Sequence, residues 1–365
     1  MNTIGTAIRL TIYGESHGPS IGAVLDGLPP GVSIDWDEVR RHMERRAPGR
    51  SALATDRKEK DAFEIQSGYF EGYTTGTPLC ILIRNGDQHS KDYSDLRHLM
   101  RPGHADYAGH VRYGGYNDYR GGGHFSGRLT APLVFAGAIA RQILRRRGVV
   151  ISAHVQQIAG IEDRRFSPLG ETAEQLEALT WQELPLLDAS REAPMREAVR
   201  KARSAKDSVG GIIEVMAAGM PAGAGDPLFD SVESELAKMM FSVPAVKGVE
   251  FGDGFALAGM RGSEANDPLC YDGGKVRTRA NHNGGITGGI TNGAPLLFRV
   301  VIKPTASIAR AQDTIDLDTG DNAVLTITGR HDPCIVPRAV PVVEAAAAWT
   351  LLDILMQRDG YRPDR

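Results

Sequence analysis

Apolar residues near the start of the chain recur first with the period of a strand and then with that of a helix. Between residues 8 and 13, Ile and Leu alternate with Arg, Thr and Tyr, which predicts a half-buried strand that leads into GESHG at 14–18. A D-x-x-E capping signal at Asp35 then predicts the start of a helix. Pro48-Gly49 predicts its end, because proline cannot continue the hydrogen-bond pattern.

Apolar runs further along the chain predict strands that alternate with helices. Residues 79–84 predict a buried strand, and residues 131–147 predict a mostly apolar helix that ends at Gly148. The second half has predicted strands at 149–155, 211–218 and 294–303, and predicted helices near 171–179, 193–206, 230–241 and 340–357. The last helix carries little charge, so we expect it to be buried or at a subunit contact. Because no Pro/Ser-rich linker separates the halves, we expect one layered domain over residues 1–365.

Composition narrows the class of protein without naming a function. The chain has 365 residues, 41% of them hydrophobic, which is enough for a large core. It has no apolar run of the roughly 20 residues that cross a bilayer and no secretory signal pattern, so we expect a cytoplasmic protein without a membrane partner. Three widely spaced cysteines suggest neither a disulfide framework nor a zinc site. A net charge of −3 with interspersed signs argues against a nucleic-acid partner.

Glycine is the compositional outlier, and its distribution indicates loops. The 43 glycines cluster at 114–115, 121–123, 284–285 and 288–289. Such clusters suit loops that approach a ligand closely, although plain turns explain any single cluster as well. Residues 85–128 are rich in Gly, His, Arg and Tyr and are too long for a passive connection. Since long ordered loops in compact proteins are usually functional, we expect the active site there.

Several familiar motifs are suggested and then excluded by their context. Ser16 lies in a GxSxG pattern, but only 13 residues precede Gly14, too few for the core strands that come before a hydrolase nucleophile. The segment 120–127 lacks the third glycine of a dinucleotide fingerprint. The segment 316–321 resembles the start of a calcium loop, but its twelfth position is Ile327 where that loop needs Glu. We expect a surface turn there and no structural metal.

Three ionisable side chains sit between residues that restrict the backbone. His17 follows Ser16 in a glycine-bounded turn, His104 lies in RPGHADYAGH, and Asp332 lies in GRHDPC before a proline. A single histidine in such a place is more often structural than catalytic. Their joint occurrence favours acid–base chemistry.

Arginines beside the same clusters indicate a polyanionic ligand. A guanidinium group matches the geometry of a phosphate or a carboxylate with two hydrogen bonds. Solvated surface arginines are the alternative, and they suit the arginines at helix ends better. The arginines concerned are Arg46, Arg101, Arg128 and Arg330.

Nine short segments occur in order along the chain, and together they are more specific than any single motif. They are GESHG, RRAPG, FEGYTTGTP, RPGHADYAG, YRGGG, AVKGVEFGDGF, NGGITGGI, IKPTASI and GRHDPCIVPRAVPVVEA. Together they resemble chorismate synthase over nearly the whole chain. The resemblance implies an α+β fold, a layered α/β sandwich of two similar halves with helices flanking central sheets, assembled as a homotetramer. It implies a lyase of the shikimate pathway, which leads to aromatic amino acids, that eliminates phosphate from 5-enolpyruvylshikimate 3-phosphate with reduced FMN.

The resemblance also implies roles for the ionisable residues. His17 would protonate the leaving phosphate, and His104 would hold or protonate the reduced flavin near its N1 edge. Asp332 would be the base that relays the C6 proton through flavin N5. Ser16 and Ser126 would form hydrogen bonds around the substrate and the flavin, so Ser16 would orient and not attack.

Cofactor contacts carry over from the resemblance position by position. The implied flavin contacts are His124, Phe125, Ser126, Gly288, Lys303, Pro304, Thr305, Ala306, Ser307 and Arg330. Arg46 resembles a position assigned to NADP or to a substrate anion, and Arg101 and Arg128 would bind substrate anions. NADPH is the expected reductant of the flavin, on this chain or on a separate reductase. Ala52 stands where the family has an arginine, which weakens the case for a built-in NADPH site.

The chain departs from the family pattern at one edge of the expected flavin site. It reads GGHFSGRLT where many members read GGRSSARET, so His124 and Phe125 replace an arginine and a serine. This departure keeps a second hypothesis open, a non-catalytic protein that binds flavin or a polyanion on the same scaffold. A serine hydrolase is a distant third.

Overall fold

Eight α-helices are distributed along the described residues of the chain. The structure is a computed structural model, and it describes residues 2–49, 61–86, 97–327 and 332–360. The helices in these residues are α1 (Trp36–Arg46), α2 (Asp106–Tyr113), α3 (Thr130–Arg146), α4 (Ala173–Thr180), α5 (Glu192–Ser204), α6 (Val232–Ser242), α7 (Gly262–Ala265) and α8 (Val336–Gly360). The predicted helices are confirmed to within a few residues, and α2 and α7 are additional.

The strands of the described residues form two five-stranded sheets and several hairpins. They are β1 (Thr3–Ile4), β2 (Arg9–Gly14), β3 (Ser20–Asp26), β4 (Phe63–Ser67), β5 (Tyr69–Phe70), β6 (Tyr73–Thr74), β7 (Leu79–Arg84), β8 (Val150–Ile158), β9 (Ile161–Glu162), β10 (Gly211–Ala218), β11 (Val246–Phe251), β12 (Leu269–Asp272), β13 (Lys275–Thr278), β14 (Ile286–Thr287), β15 (Ile290–Thr291), β16 (Leu296–Ile302), β17 (Ala311–Ile315) and β18 (Asn322–Thr326). The first sheet has the order β1-β2-β3-β7-β4 and the second the order β11-β16-β10-β8-β9. The pairing in both is antiparallel.

The two sheets enclose helices, as the layered α+β prediction requires. Helix α3 packs against α8, and the two helices contact β3 of the first sheet and β8 and β10 of the second. Alternate residues of β3, Ile21, Ala23 and Leu25, are fully buried in the same core cluster as Ile213 and Val215 of β10. One continuous core therefore contains residues of both halves, and each half contributes one five-stranded sheet.

Helix α1 begins where the sequence predicts it. The Asp35 carboxylate accepts hydrogen bonds from the backbone N–H groups of Asp37 and Glu38, which satisfies donors that a helix start leaves unpaired. The helix ends at Arg46, two residues before Pro48. Its end therefore brings Arg46 to the region where the candidate site lies.

Helix α8 is longer than its predicted range of 340–357 and is almost entirely buried. Pro341 lies inside it, and a proline normally marks a helix boundary, so the sequence suggested a later start. By length and composition α8 is apolar enough to cross a membrane, but 89% of its most apolar window is buried within the protein. The predicted burial of this helix is confirmed. Asp353 ties it to the first sheet by accepting hydrogen bonds from the backbone N–H groups of Ala7 and Ile8.

The contact between α3 and α8 depends on Gly137, and a substitution there tests it. A Cβ atom at Gly137 would lie 2.3 Å from both Cα and Cβ of Ala345. Alanine in a helix interior usually stabilises by about 1 kcal/mol relative to glycine, but overpacking costs about 1–3 kcal/mol. We expect Gly137→Ala to lower the free energy of unfolding, measured with urea. The control is Gly262→Ala, because a Cβ atom at Gly262 would meet nothing within 4 Å. This control should leave the free energy of unfolding unchanged or raise it. Equal effects of the two changes would contradict this packing.

The continuous core also predicts how the chain unfolds, and this tests the expected single domain. If residues 1–365 form one domain, the two sheets lose their structure together. Far-UV circular dichroism reports on all elements, while tryptophan fluorescence reports on Trp36 beside the first sheet, on Trp181 at the end of α4 and on the buried Trp349 of α8. We expect one urea transition with the same midpoint by both signals. Two separated transitions would show two independent domains.

Candidate active site

The turn that carries Ser16 and His17 joins β2 to β3. It is closed by a hydrogen bond of 3.1 Å from the Gly18 N–H to the Glu15 carbonyl oxygen. Because β2 and β3 form an antiparallel hairpin, this turn is not the strand-to-helix elbow of a hydrolase. The geometry agrees with Ser16 as an orienting residue and gives no support to a nucleophile.

His17 is buried beneath a glycine-rich loop of the same half. Gly121 has a φ of +60°, and a Cβ atom there would lie 2.1 Å from Cε1 of His17. Only glycine fits this close approach. The Ser16 N–H donates to the Gly123 carbonyl oxygen at 3.1 Å, so loop and turn hold each other. The long polar segment after β7 thus packs on the His17 turn, as its composition suggested.

Asp118 is an acidic neighbour of His17. Its carboxylate accepts two hydrogen bonds from the Arg120 side chain, at 2.9 and 2.8 Å. These bonds are the main cause of the lowered pKa of Asp118, and the charge of His17 adds to the effect. Asp118 therefore remains a carboxylate at neutral pH.

Arg101 and Ser126 lie on either side of Gly122. A Cβ atom at Gly122 would lie 3.8 Å from Nη2 of Arg101 and 3.9 Å from Cβ of Ser126. The Arg101 guanidinium donates to both carboxylate oxygens of Asp106, at 2.7 and 2.8 Å, which fixes its plane. The Ser126 hydroxyl oxygen accepts from the Arg128 backbone N–H at 3.2 Å.

His104 belongs to the same loop as Arg101 and meets a loop of the second half. Its Nε2 lies 2.7 Å from the Ser307 hydroxyl oxygen, within hydrogen-bond distance. The Lys303 ammonium donates to the Gly103 carbonyl oxygen at 2.5 Å. A Cβ atom at Gly103 would lie 3.1 Å from Cβ of Ala306. Residues 303–307, which follow β16, are thus held against the His104 loop.

The Thr305 hydroxyl is a free polar group within this second loop. Its oxygen is buried and has no hydrogen-bond partner among the described residues. Pro304 precedes it and packs against Gly210. An unsatisfied buried hydroxyl beside Lys303 suits a ligand with an anionic or hydrogen-bonding edge.

Arg46 and Arg128 share the carboxylate of Asp61. Arg46 donates to Oδ2 of Asp61 from Nε at 3.0 Å and from Nη2 at 2.5 Å, and Arg128 donates to Oδ1 from Nη1. The Asp61 side chain is only 2% exposed. Arg128 also donates from Nε to the Asn85 amide oxygen at 3.1 Å. The two arginines therefore form one buried group around the Asp61 carboxylate.

Asp332 joins the group through Arg338, near the start of α8. Arg338 donates to Asp332 from Nη1 and to the Arg46 carbonyl oxygen from Nε at 3.1 Å. A chain of contacts thus runs from Asp332 through the paired arginines to the His17 turn and on to His104. Arg330 lies outside the described residues.

Three further predicted flavin contacts are His124, Phe125 and Gly288. Nδ1 of His124 donates to the Gly14 carbonyl oxygen at 2.8 Å, and Phe125 is 43% exposed, next to Tyr113. Gly288 lies in the turn of the β14–β15 hairpin, at the end of β16 opposite to Lys303. Since β16 has seven residues, about 20 Å separate Gly288 from Lys303 within one chain. The structure does not bring Gly288 to the other site residues.

The sequence did not predict a role for four residues that contact the predicted site residues. They are Asp61, Asn85, Asp118 and Arg338. Asp61 follows the charged run DRKEK, which looks like a solvated surface. Asn85 directly follows the apolar strand 79–84. Its position at the start of the long polar segment was the one sequence feature that indicated a functional role for it.

Comparison with known proteins is consistent with this arrangement. The sequence profile of the chorismate synthase family matches residues 8–356. A protein named chorismate synthase from Methanocella arvoryzae is 48% identical over 99% of this chain and 96% of its own length, and one from Opitutus terrae is 46% identical over 98% of both. A crystal structure of chorismate synthase matches with a TM-score of 0.76 and 27% identity over 97% of this chain and 93% of that chain. The chain therefore belongs to the chorismate synthase family.

Proposed function

We propose that the chain converts 5-enolpyruvylshikimate 3-phosphate into chorismate by 1,4-elimination of phosphate. The observation that carries the proposal is the continuous chain of contacts that joins His17, His104 and Asp332 through buried arginines. These three residues come from three distant segments, and no simple folding requirement explains why ionisable side chains should converge there. The proposal places the protein in aromatic amino acid biosynthesis, in the cytoplasm and as a homotetramer, as its family membership suggests.

The substrate carries two carboxylates and a phosphate, so its recognition requires several cations. Arg46 and Arg128 are held together by the Asp61 carboxylate, which fixes both guanidinium groups at one place in the fold. Arg101 is held flat by Asp106 beside the glycine-rich loop. In this proposal the three arginines bind the anionic groups of the substrate, and Arg330 adds a fourth cation.

Elimination breaks the bond between ring carbon and phosphate oxygen and removes a proton from the ring. His17 is the residue proposed to protonate the departing phosphate, since it is buried and close to the carboxylate of Asp118. Asp332 is proposed to accept the ring proton. The C–H electron pair forms the new double bond of the diene as phosphate leaves, so the reaction has no net redox change.

The residues near Lys303 fit reduced FMN. The buried Thr305 hydroxyl without a partner, the Lys303 ammonium and the His104–Ser307 pair would contact an anionic heterocycle or its phosphate. Reduced FMN, when bound, would supply an electron-rich ring beside the substrate. His104 would hold a proton at the edge of that ring. NADPH is the proposed source of electrons, directly or through a reductase.

A second candidate function is binding of flavin or a polyanion without catalysis. The observation that favours it is the altered loop, where the exposed Phe125 and the carbonyl-bound His124 stand in place of an arginine and a serine. Tight ternary binding of flavin and substrate without phosphate release would support this candidate.

Dependence on reduced flavin is the first test of the proposed reaction. We expect the purified chain with dithionite-reduced FMN and 5-enolpyruvylshikimate 3-phosphate to release one phosphate for each chorismate formed. Oxidised FMN should give no turnover. The measurement is anaerobic phosphate release together with chorismate absorbance. Equal turnover without any flavin would end this mechanism.

Removal of the proposed proton-transfer groups is the second test. We expect His17→Ala, His104→Ala and Asp332→Asn each to lower kcat by about a hundredfold or more, the usual scale for lost proton transfer. Turnover is measured under saturating substrate and reduced FMN.

Matched controls for this test lie elsewhere in the same fold. His110→Ala changes a histidine of α2 whose ring lies beside Gly115, and Asp359→Asn changes an ion-paired aspartate at the opposite end of α8. Both controls should keep kcat within about threefold of the parent. Near-normal rates in all three test variants would remove the assigned roles.

A further inference from the structure

Asn85 uses every polar atom of its side chain to join two parts of the candidate site. It directly follows β7, and its amide oxygen accepts from Nε of Arg128 at 3.1 Å. Its amide nitrogen donates to the carbonyl oxygens of Glu15 and Gly18, at 3.0 and 2.8 Å. Its backbone N–H donates to the Pro19 carbonyl oxygen at 3.2 Å. These contacts enclose the turn that carries Ser16 and His17.

The chemistry of the site requires an amide at this position. The guanidinium of Arg128 offers only donors, and the two turn carbonyls offer only acceptors. A side chain between them must therefore accept on one side and donate twice on the other. A flipped amide would set its NH₂ group against the guanidinium and its oxygen against two carbonyls, so the orientation of the Asn85 amide is determined. An aspartate has the same shape but has no donor.

Arg128 is itself fixed at its other end. Its Nη1 donates to the Asp61 carboxylate, which also binds Arg46. The Asn85 amide thus sits between a buried arginine pair and the short turn that the hydrogen bond from Gly18 to Glu15 closes. A displacement of the arginine pair is transmitted to the turn through this amide.

We infer that Asn85 is a positioning residue that sets the His17 turn relative to the anion-binding Arg128. The inference rests on the proposed function, in which Arg128 binds an anionic group of the substrate and His17 protonates the leaving phosphate. Asn85 touches neither group of the substrate in this account. It keeps the acid at a constant distance from the anion that the arginine holds, as proton transfer requires.

The decisive variant is Asn85→Asp, because it keeps the shape of the side chain and removes its donors. We expect kcat for phosphate release to fall about 10- to 100-fold, while KM changes by less than about threefold because Arg128 keeps Asp61. Hydrogen–deuterium exchange of the ligand-free chain should become at least about fivefold faster at the amides of residues 15–18. Asn85→Ser, which removes the amide without adding a charge, should give the same two changes and serves if the aspartate variant fails to fold.

Asn281 provides a matched control with the same bonding pattern elsewhere. Its amide nitrogen donates to the carbonyl oxygens of Pro168 and Pro295, both at 2.8 Å, and its amide oxygen accepts from the Gly285 N–H at 2.7 Å. Asn281→Asp loses the same donors in the second half of the chain. At a temperature where the variant is folded, its kcat and the exchange of residues 15–18 should stay within about twofold of the parent.

Two outcomes would overturn the positioning role. One is a folded Asn85→Asp or Asn85→Ser protein with unchanged kcat and unchanged exchange at residues 15–18. The other is an equal loss of kcat in the Asn85 and Asn281 variants, which would indicate a general effect of stability. The exchange measurement needs no substrate, so it tests the link between Asn85 and the turn even if the parent chain shows no turnover. A parent without turnover contradicts the proposed function and not this link.

Discussion

Two guanidinium groups share one buried carboxylate at the centre of the candidate site, and the local geometry depends on this sharing. Burial alone would raise the pKa of Asp61, but the charges of Arg46 and Arg128 and their hydrogen bonds lower it below its ordinary value. Removing one partner of a buried ion pair typically costs about 3–5 kcal/mol, since the other charge stays uncompensated. The end of α1, the segment before β4 and the loop before α3 are therefore held together by one side chain.

The charges of this group depend on one another. Burial lowers the pKa of Arg46, while Asp61 opposes that effect and Arg338 and Arg128 add to it. Three guanidinium groups here contact the carboxylates of Asp61 and Asp332. In the proposed function, an anion that enters the group would be bound by guanidinium groups already in place, with little reorganisation of the protein.

The sequence predicted local structure well and long-range side-chain partners poorly. The strand at 79–84 and the cap at Asp35 depend on neighbouring residues, and both occur as predicted. The start of α8 was missed because Pro341 is typical of the first turn of a helix, although packing in the core keeps the helix continuous. Asp61 and Asn85 could not be assigned, because their partners lie up to 67 and 70 residues away in the chain and only the fold brings them together. The resemblance supplied the ionisable residues but not the contacts that hold them.

The site lies where the two halves of the chain meet, so neither half can form it alone. The His17 turn and the His104 loop belong to the first half, while residues 303–307 and Asp332 belong to the second. The relative position of the halves is set far from the site, by the packing of α3 on α8 and by the Asp353 carboxylate that binds the start of the first sheet. A loss of packing in the core would therefore move His17 and Asp332 relative to each other while leaving each local loop intact. Stability of the interface between the halves and precision of the site are, on this structure, the same physical requirement.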